Sequence, residues 1–178
     1  MKGYLSAPER FGADWRMRMK AVAKCLTVLA LLAVLALAYV HYASRLIVRY
    51  AGVNVASCAD YQQTFDTIRD YAQRGTADVT VFTEAPGYNS GDYKFITYTV
   101  DVRNLNALGA EWMDLNVTPK QGDLLQVNSK VTDLPAFNSE TMTVILLCDR
   151  NATDLTREAT LSYYVYCRYY ETTLTLNP

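Results

Sequence analysis

The sequence predicts a mainly β protein: an N-terminal transmembrane helix, then an antiparallel β-sandwich carrying one packed helix at its start. Three observations predict this class. An uncharged apolar run of 16 residues, Cys25–Val40, follows a basic N-terminal segment. Beyond residue 79 the apolar residues recur at every second position in six or seven short segments separated by turn-forming residues. Tyrosine is abundant, 14 residues against 5 phenylalanines, and aromatic side chains suit a pleated surface. At 178 residues the chain can hold one ordinary domain and an appendage.

The first element is read from the apolar run and its flanks. Sixteen residues at helical rise span ~24 Å, a little short of a ~30 Å hydrocarbon core. Lys24, which can snorkel, with Val22 and Ala23 before the run and His41, Tyr42 and Ala43 after it, completes a helix over 21–43. Trp15, Tyr39, Tyr42 and Tyr50 are placed to serve as interfacial aromatics. Through Lys24 there are six basic residues (Lys2, Arg10, Arg16, Arg18, Lys20, Lys24) and two acidic ones (Glu9, Asp14). The remainder carries 11 basic and 16 acidic residues. This asymmetry expects residues 1–20 as a cytoplasmic basic arm and the acidic body outside the cell membrane. It does not give the body the basic clustering that nucleic-acid binding requires. The alternative reading is a secretory signal cut near Ala38, where Ala36-Leu37-Ala38 has the small-x-small pattern. The long n-region, with its tryptophan and two acids, favours the anchor.

Residues 44–57 are expected as a juxtamembrane linker, with the domain over 58–178. In "SCADYQQTFDTIRDYAQRG", Ser57 is a capping residue, Tyr61, Phe65, Ile68 and Ala72 share one helical face, and Gly75 ends the turn. A helix near 58–74 follows. Strands are expected over 79–84, 93–103, 110–118, 123–130, 140–148 and 159–170, with "VTDLPAFNS" as a loop.

The stretch "YTVDVRNLNALGAEWMDLNVTP", with the later "LPAFNSETMTVILL", resembles immunoglobulin-like β-sandwich modules of membrane-anchored bacterial surface proteins. The resemblance covers about Tyr93–Leu147 and implies an immunoglobulin-like fold without naming a ligand. The Cys…Trp…Cys core of antibody-type domains is missing around Trp112.

The chemistry is sparse. The single histidine, His41, lies at the end of the apolar segment, which leaves the body without the base of a serine triad or Cys–His pair. "DRNATD" offers Asp149, Asn151 and Asp154 but lacks the glycine and distal glutamate of a calcium hand, so it reads as a polar hairpin loop. Cys148 and Cys167 share their strand faces with apolar neighbours and read as small core residues, with no bridge assigned. No catalytic, cofactor-binding or metal residue is expected, and no cofactor. Tyr164, Tyr166 and Tyr170 fall opposite the expected core face and form a candidate binding surface, unless the 58–74 helix covers it. The expected role is a single-pass, membrane-anchored extracytoplasmic binding or structural module. Its partners would be the lipid bilayer through 21–43 and a protein or cell-envelope component. The alternatives are a secreted binding module and a non-catalytic subunit of an envelope enzyme complex.

Overall fold

A computed structural model describes residues 7–43, 45–127 and 130–177. The chain divides at Ala43/Ser44 into two compact units. The first is one helix, α1 (Ala7–Ala43). Within it, Arg18–Tyr39 forms a 22-residue stretch long and apolar enough to cross a membrane or to act as a signal sequence. Its hydroxyl at Thr27 is satisfied internally by donating to the Ala23 carbonyl, 2.9 Å away. The arm expected over 1–20 is therefore helical from Ala7, and residues 1–6 lie outside the described residues. Good helix formers such as Glu9, Arg10, Arg16 and Met17 carry the turn pattern without needing an apolar period.

Among the described residues the second unit holds nine strands and one α-helix: β1 (Ile47–Ser57), α2 (Gln62–Arg74), β2 (Val79–Val81), β3 (Tyr93–Arg103), β4 (Ala110–Val117), β5 (Asp123–Val127), β6 (Thr132–Leu134), β7 (Ser139–Asp149), β8 (Arg157–Val165) and β9 (Arg168–Leu176). They form a five-stranded sheet in the order β1-β3-β7-β5-β2 and a four-stranded sheet in the order β6-β4-β8-β9. All pairings are antiparallel. One apolar core joins them: Ile96, Tyr98, Val100, Val144 and Leu146 from the first sheet meet Met113, Leu115, Leu161, Tyr163 and Val165 from the second. The molecule is thus a β-sandwich built on the period-two alternation of its strands. A second cluster lies on the outer face of the five-stranded sheet. There Phe65 and Ile68 of α2 pack with Cys58, Phe95, Leu125 and Leu147, and Phe65 stacks on Tyr93 at 5.6 Å.

Four expectations need correction. The 44–57 linker contains β1, an edge strand paired with β3 from Ile47↔Arg103 to Ser57↔Lys94. Its apolar residues do not alternate cleanly, because Ala51 is an extra residue in a bulge between Tyr50 and Gly52. The bulge lets Val48 and Tyr50 before it, and Val53 after it, all pack on the core, so Tyr50 is a core-facing residue and not an interfacial one. Residues 58–61 form a 3-10 turn capped by Ser57, whose hydroxyl accepts from the Ala59 amide, and α2 proper begins at Gln62. It ends as expected at Gly75, whose φ of 65° puts it in the left-handed region. "VTDLPAFNS" contributes the short strand β6. Residues 159–170 are two strands and not one: β8 and β9 form a hairpin around Tyr166-Cys167. The other strands follow the expected segments, β2 being shorter, and Asn128 and Ser129 of the expected 123–130 segment lie outside the described residues.

Candidate functional site

The sandwich has two unlike ends. Its near end, where the chain enters at Arg45, comprises the loops 104–109 and 135–138 and the turn of the β8–β9 hairpin, as the registers require. Its far end comprises the loops 118–122 and 150–156, together with the 3-10 turn at 58–61 and the segment 82–92 that leads into β3.

The far end is charged and rests on a buried clamp between the sheets. Asp123 opens β5 and Arg157 opens β8, one on each sheet, and both side chains are buried. The guanidinium donates through Nη2 to Asp123 Oδ1 at 2.7 Å and through Nε to Oδ2 at 2.8 Å, a planar fork matched to a carboxylate. Asp123 also accepts from the Lys120 amide (2.8 Å) and the Cys148 thiol (3.1 Å). Arg157 Nη1 donates to the carbonyls of Asp154 (2.8 Å) and Thr156 (2.9 Å). Burial, and then donation to Asp123, push the Cys148 thiol far above its usual range. Burial pushes the Tyr98 hydroxyl up to about 12, and it donates to the Leu155 carbonyl at 2.5 Å. Above the clamp lies an open groove of about 600 Å³, lined by Lys120, Gly122, Asn151, Thr153, Asp154 and Arg157. Gly122 is required there: its φ is +92°, and a side chain would also press the Ala152 methyl at 3.3 Å.

The "DRNATD" loop, expected as a polar hairpin loop, is polar but not a hairpin: it carries the chain from β7 of the five-stranded sheet to β8 of the four-stranded sheet. Asp149 Oδ1 accepts from the Asn151 amide at 2.8 Å. Asp154 accepts from the Thr156 amide (2.8 Å) and pairs with Lys120 Nζ (2.6 Å), which holds its carboxyl below the usual range. Both carboxylates are thus turned to their own chain. Among the described residues no group of three or more His, Cys, Asp or Glu gathers in metal-ligand geometry.

The near end is aromatic. Tyr166 and Cys167 have φ of 50° and 60°, which makes a two-residue turn of type I′ and sets the register Val165↔Arg168. The turn resets the alternation. Tyr164 and Tyr169 come to share the outer face, with rings 5.4 Å apart, while Tyr163 and Tyr170 share the inner face, stacked at 5.7 Å. Of the three candidate surface tyrosines, Tyr164 and Tyr166 are therefore exposed and Tyr170 is not: it packs against the core. Cys167 moves the other way, out of the expected core into the exposed turn. Nor does α2 cover this face, because it packs on the other sheet.

Two residues that the sequence reading passed over belong beside these tyrosines. Trp112 sits in the register shift of β4 between Glu111 and Asp114, next to the pair Glu111↔Tyr164, and its amide donates to Asp133 Oδ1 at 2.8 Å. Phe137 lies in the 135–138 loop, and its amide donates to the Asn106 carbonyl at 3.2 Å. Trp112, Phe137 and Tyr166 are 69 %, 72 % and 79 % exposed, and all three have left-handed φ (56°, 57° and 50°). That conformation costs a residue with a side chain about 1–2 kcal/mol. With Cys167 they are the only non-glycine residues of positive φ among those described, and all four lie at this end. The loops 104–109 and 135–138, the second of which holds Phe137, are tied together by the buried Asn104, whose amide donates to the Leu108 carbonyl (2.8 Å) and the Pro135 carbonyl (3.2 Å) and whose Oδ1 accepts from the Asn106 amide (2.9 Å). Entry of the chain is tied to the same structure: the Leu46 amide donates to the Tyr163 hydroxyl at 3.2 Å, and Asn106 donates to the Arg45 carbonyl at 3.4 Å.

No family model matches the chain, and no curated protein matches it. Solved structures similar to it are β-sandwich proteins. A FixG-related protein from Vibrio parahaemolyticus aligns at 13% identity and a TM-score of 0.33, over 55% of this chain and 92% of that one. The GAE domain of GGA2p from Saccharomyces cerevisiae aligns at 12% and 0.35, over 56% and 96%. A β-sandwich protein from Clostridium difficile 630 aligns at 8% and 0.32, over 73% and 85%. At these scores the likeness is one of general architecture.

Proposed function

We propose that the protein is a single-pass, membrane-anchored binding or structural module whose immunoglobulin-like sandwich stands outside the cell membrane. The observation that carries this reading is the apolar stretch Arg18–Tyr39, which buries none of its residues, in a chain whose sandwich closes its own core. An apolar helix with no protein face to bury it finds its favourable environment in lipid. The basic residues ahead of the stretch and the acidic body behind it support an N-terminus in the cytoplasm. The order β1-β3-β7-β5 against β4-β8-β9 supports the immunoglobulin-like reading, with β2 and β6 as additions at the edges. The charged groove lies at the end of the sandwich opposite Arg45, and we assign it to a protein or cell-envelope partner.

Cysteine labelling of intact cells tests this. Cys58 and Cys148 are buried, so Cys167 is the exposed thiol of the sandwich. A membrane-impermeant maleimide is expected to label a full-length Cys167→Ser/Thr173→Cys chain of about 20.0 kDa from outside, Thr173 being an exposed residue of β9 away from the near end, and Cys167→Ser alone is expected to give no labelling. Labelling only after the cells are opened would reverse the orientation. A soluble product starting near Tyr39 would make the protein a secreted module; it would still carry all of β1. For the groove, Gln121→Cys in the Cys167→Ser background is expected to label more slowly in cells than in the purified protein. Equal rates would remove the assignment of that end to a partner.

A further inference from the structure

We propose that the aromatic near end of the sandwich lies in the headgroup zone of the bilayer, so that the domain rests on the membrane that anchors it. This rests on the anchored reading above. Chain length supplies the first argument. Only five residues lie between Tyr39, the last of the apolar stretch, and Arg45, and these six chain steps hold Arg45 to within about 20 Å of the stretch even if that chain is fully extended. The near end is therefore the part of the domain that a bilayer is forced to meet.

Composition supplies the second argument. Leu105, Trp112, Phe137, Tyr164, Tyr166 and Tyr169 are exposed at or beside this end, whereas the far end exposes Tyr61 and Tyr88, the latter with its ring under the Arg69 guanidinium at 4.7 Å, and its loops 118–122 and 150–156 expose no large apolar side chain. Tryptophan and tyrosine are the side chains that settle at a membrane–water boundary, where one part of the ring is apolar and the other is wet. Arg45, Arg103 and Arg168 lie at the same end, where guanidinium groups suit lipid phosphates.

Backbone geometry supplies the third. Trp112, Phe137 and Tyr166 hold strained left-handed conformations, and Phe137 and Tyr166 take no part in either apolar core. The Phe137 loop is tied through Asn104, the Trp112 amide is held by Asp133, and Tyr166 sits in the two-residue turn of a paired hairpin, so the rings are presented from a held backbone and lose little further freedom on contact.

Depth-dependent fluorescence quenching tests the proposal. With Trp15→Phe, Trp112 is the only tryptophan of the full-length chain. The protein is reconstituted in phosphatidylcholine–phosphatidylglycerol vesicles whose chains are brominated next to the carbonyl. Trp112 is expected to lose most of its emission relative to unbrominated vesicles and to resist aqueous iodide. A far-end probe, Gln121→Trp in a Trp15→Phe/Trp112→Phe chain, is expected to keep its emission and to be quenched by iodide. A Trp112 that is bright in brominated lipid overturns the proposal, whether iodide reaches it (a free surface) or not (a surface covered by protein). Flotation of the same samples separates the two layers of the argument. A chain that does not float with vesicles defeats the anchored reading and this proposal together, whereas a floating chain with a bright Trp112 defeats this proposal alone.

Discussion

Asp123 and Arg157 fix the two sheets to each other at the cost of burying two charges. Each alone would be a severe liability, because removing one partner leaves the other charge without water or counter-charge. Arg157→Ala is therefore expected to destabilise the domain by about 3–5 kcal/mol, read as a shift in the urea midpoint. The double variant Asp123→Leu/Arg157→Met removes both charges, and most of that loss is expected to return; a double variant as unstable as the single one would refute the clamp. Gln126 does related work without charge. From β5 it accepts the Val117 amide at 2.8 Å and donates to the Leu115 carbonyl at 3.3 Å, satisfying part of the β4 edge that short β6 leaves bare. Neither residue was legible beforehand. Asp123 sits next to a turn and Gln126 in the middle of a strand, and polar residues in such places read as solvent-facing. Only the approach of two segments distant in sequence turns them inward.

The hairpin β8–β9 shows where period-two reading breaks. "YYVYCRYY" alternates plausibly as one strand, and the usual marks of a two-residue turn, Asn-Gly or Asp-Gly, are missing. Tyr166-Cys167 makes the turn nonetheless, so every side chain after Val165 belongs to a second strand and Tyr170 changes face. Replacing the pair by Asn-Gly supplies residues that tolerate positive φ. We expect Tyr166→Asn/Cys167→Gly to raise stability by about 1–2 kcal/mol in thermal or urea denaturation. No gain would mean that the turn carries no strain. By contrast β3, β7, the later part of β4 and α2 were readable from sequence, because their core-facing residues keep an unbroken period: Ile96, Tyr98, Val100 and Val102 in β3, Met142, Val144, Leu146 and Cys148 in β7, Met113, Leu115 and Val117 in β4, and Phe65 and Ile68 in α2. The bulge at Ala51 hid β1 for the opposite reason: it splits a real strand into two half-patterns, each too short to register.

At the scale of the whole molecule, β1 moves the start of the folded unit. The boundary at Ala43/Ser44 includes Leu46, Val48, Tyr50 and Val53 in the core, whereas a boundary at residue 58 discards them. A fragment from Ser44 to the C-terminus is expected to fold cooperatively as a monomer. A fragment from Cys58 loses about 3–6 kcal/mol of apolar burial, a large part of the ~5–15 kcal/mol that a domain commonly has. It also bares the long edge of β3, a template for intermolecular pairing. Gel filtration and urea unfolding of the two fragments check this; equal behaviour would mean that β1 is dispensable.

The placement of β1 also decides how the domain answers force. Its first residue meets the tether at the near end, and the strand then runs the length of the sandwich beside β3, antiparallel and in register as far as Ser57↔Lys94. When a partner holds the far end and the chain is pulled at Arg45, the load travels along the strand and across its hydrogen bonds. The bonds on both sides of the Ala51 bulge then share the load in shear and do not open one at a time from the end. Pulled from Arg45, the domain is thus loaded in shear along a whole strand.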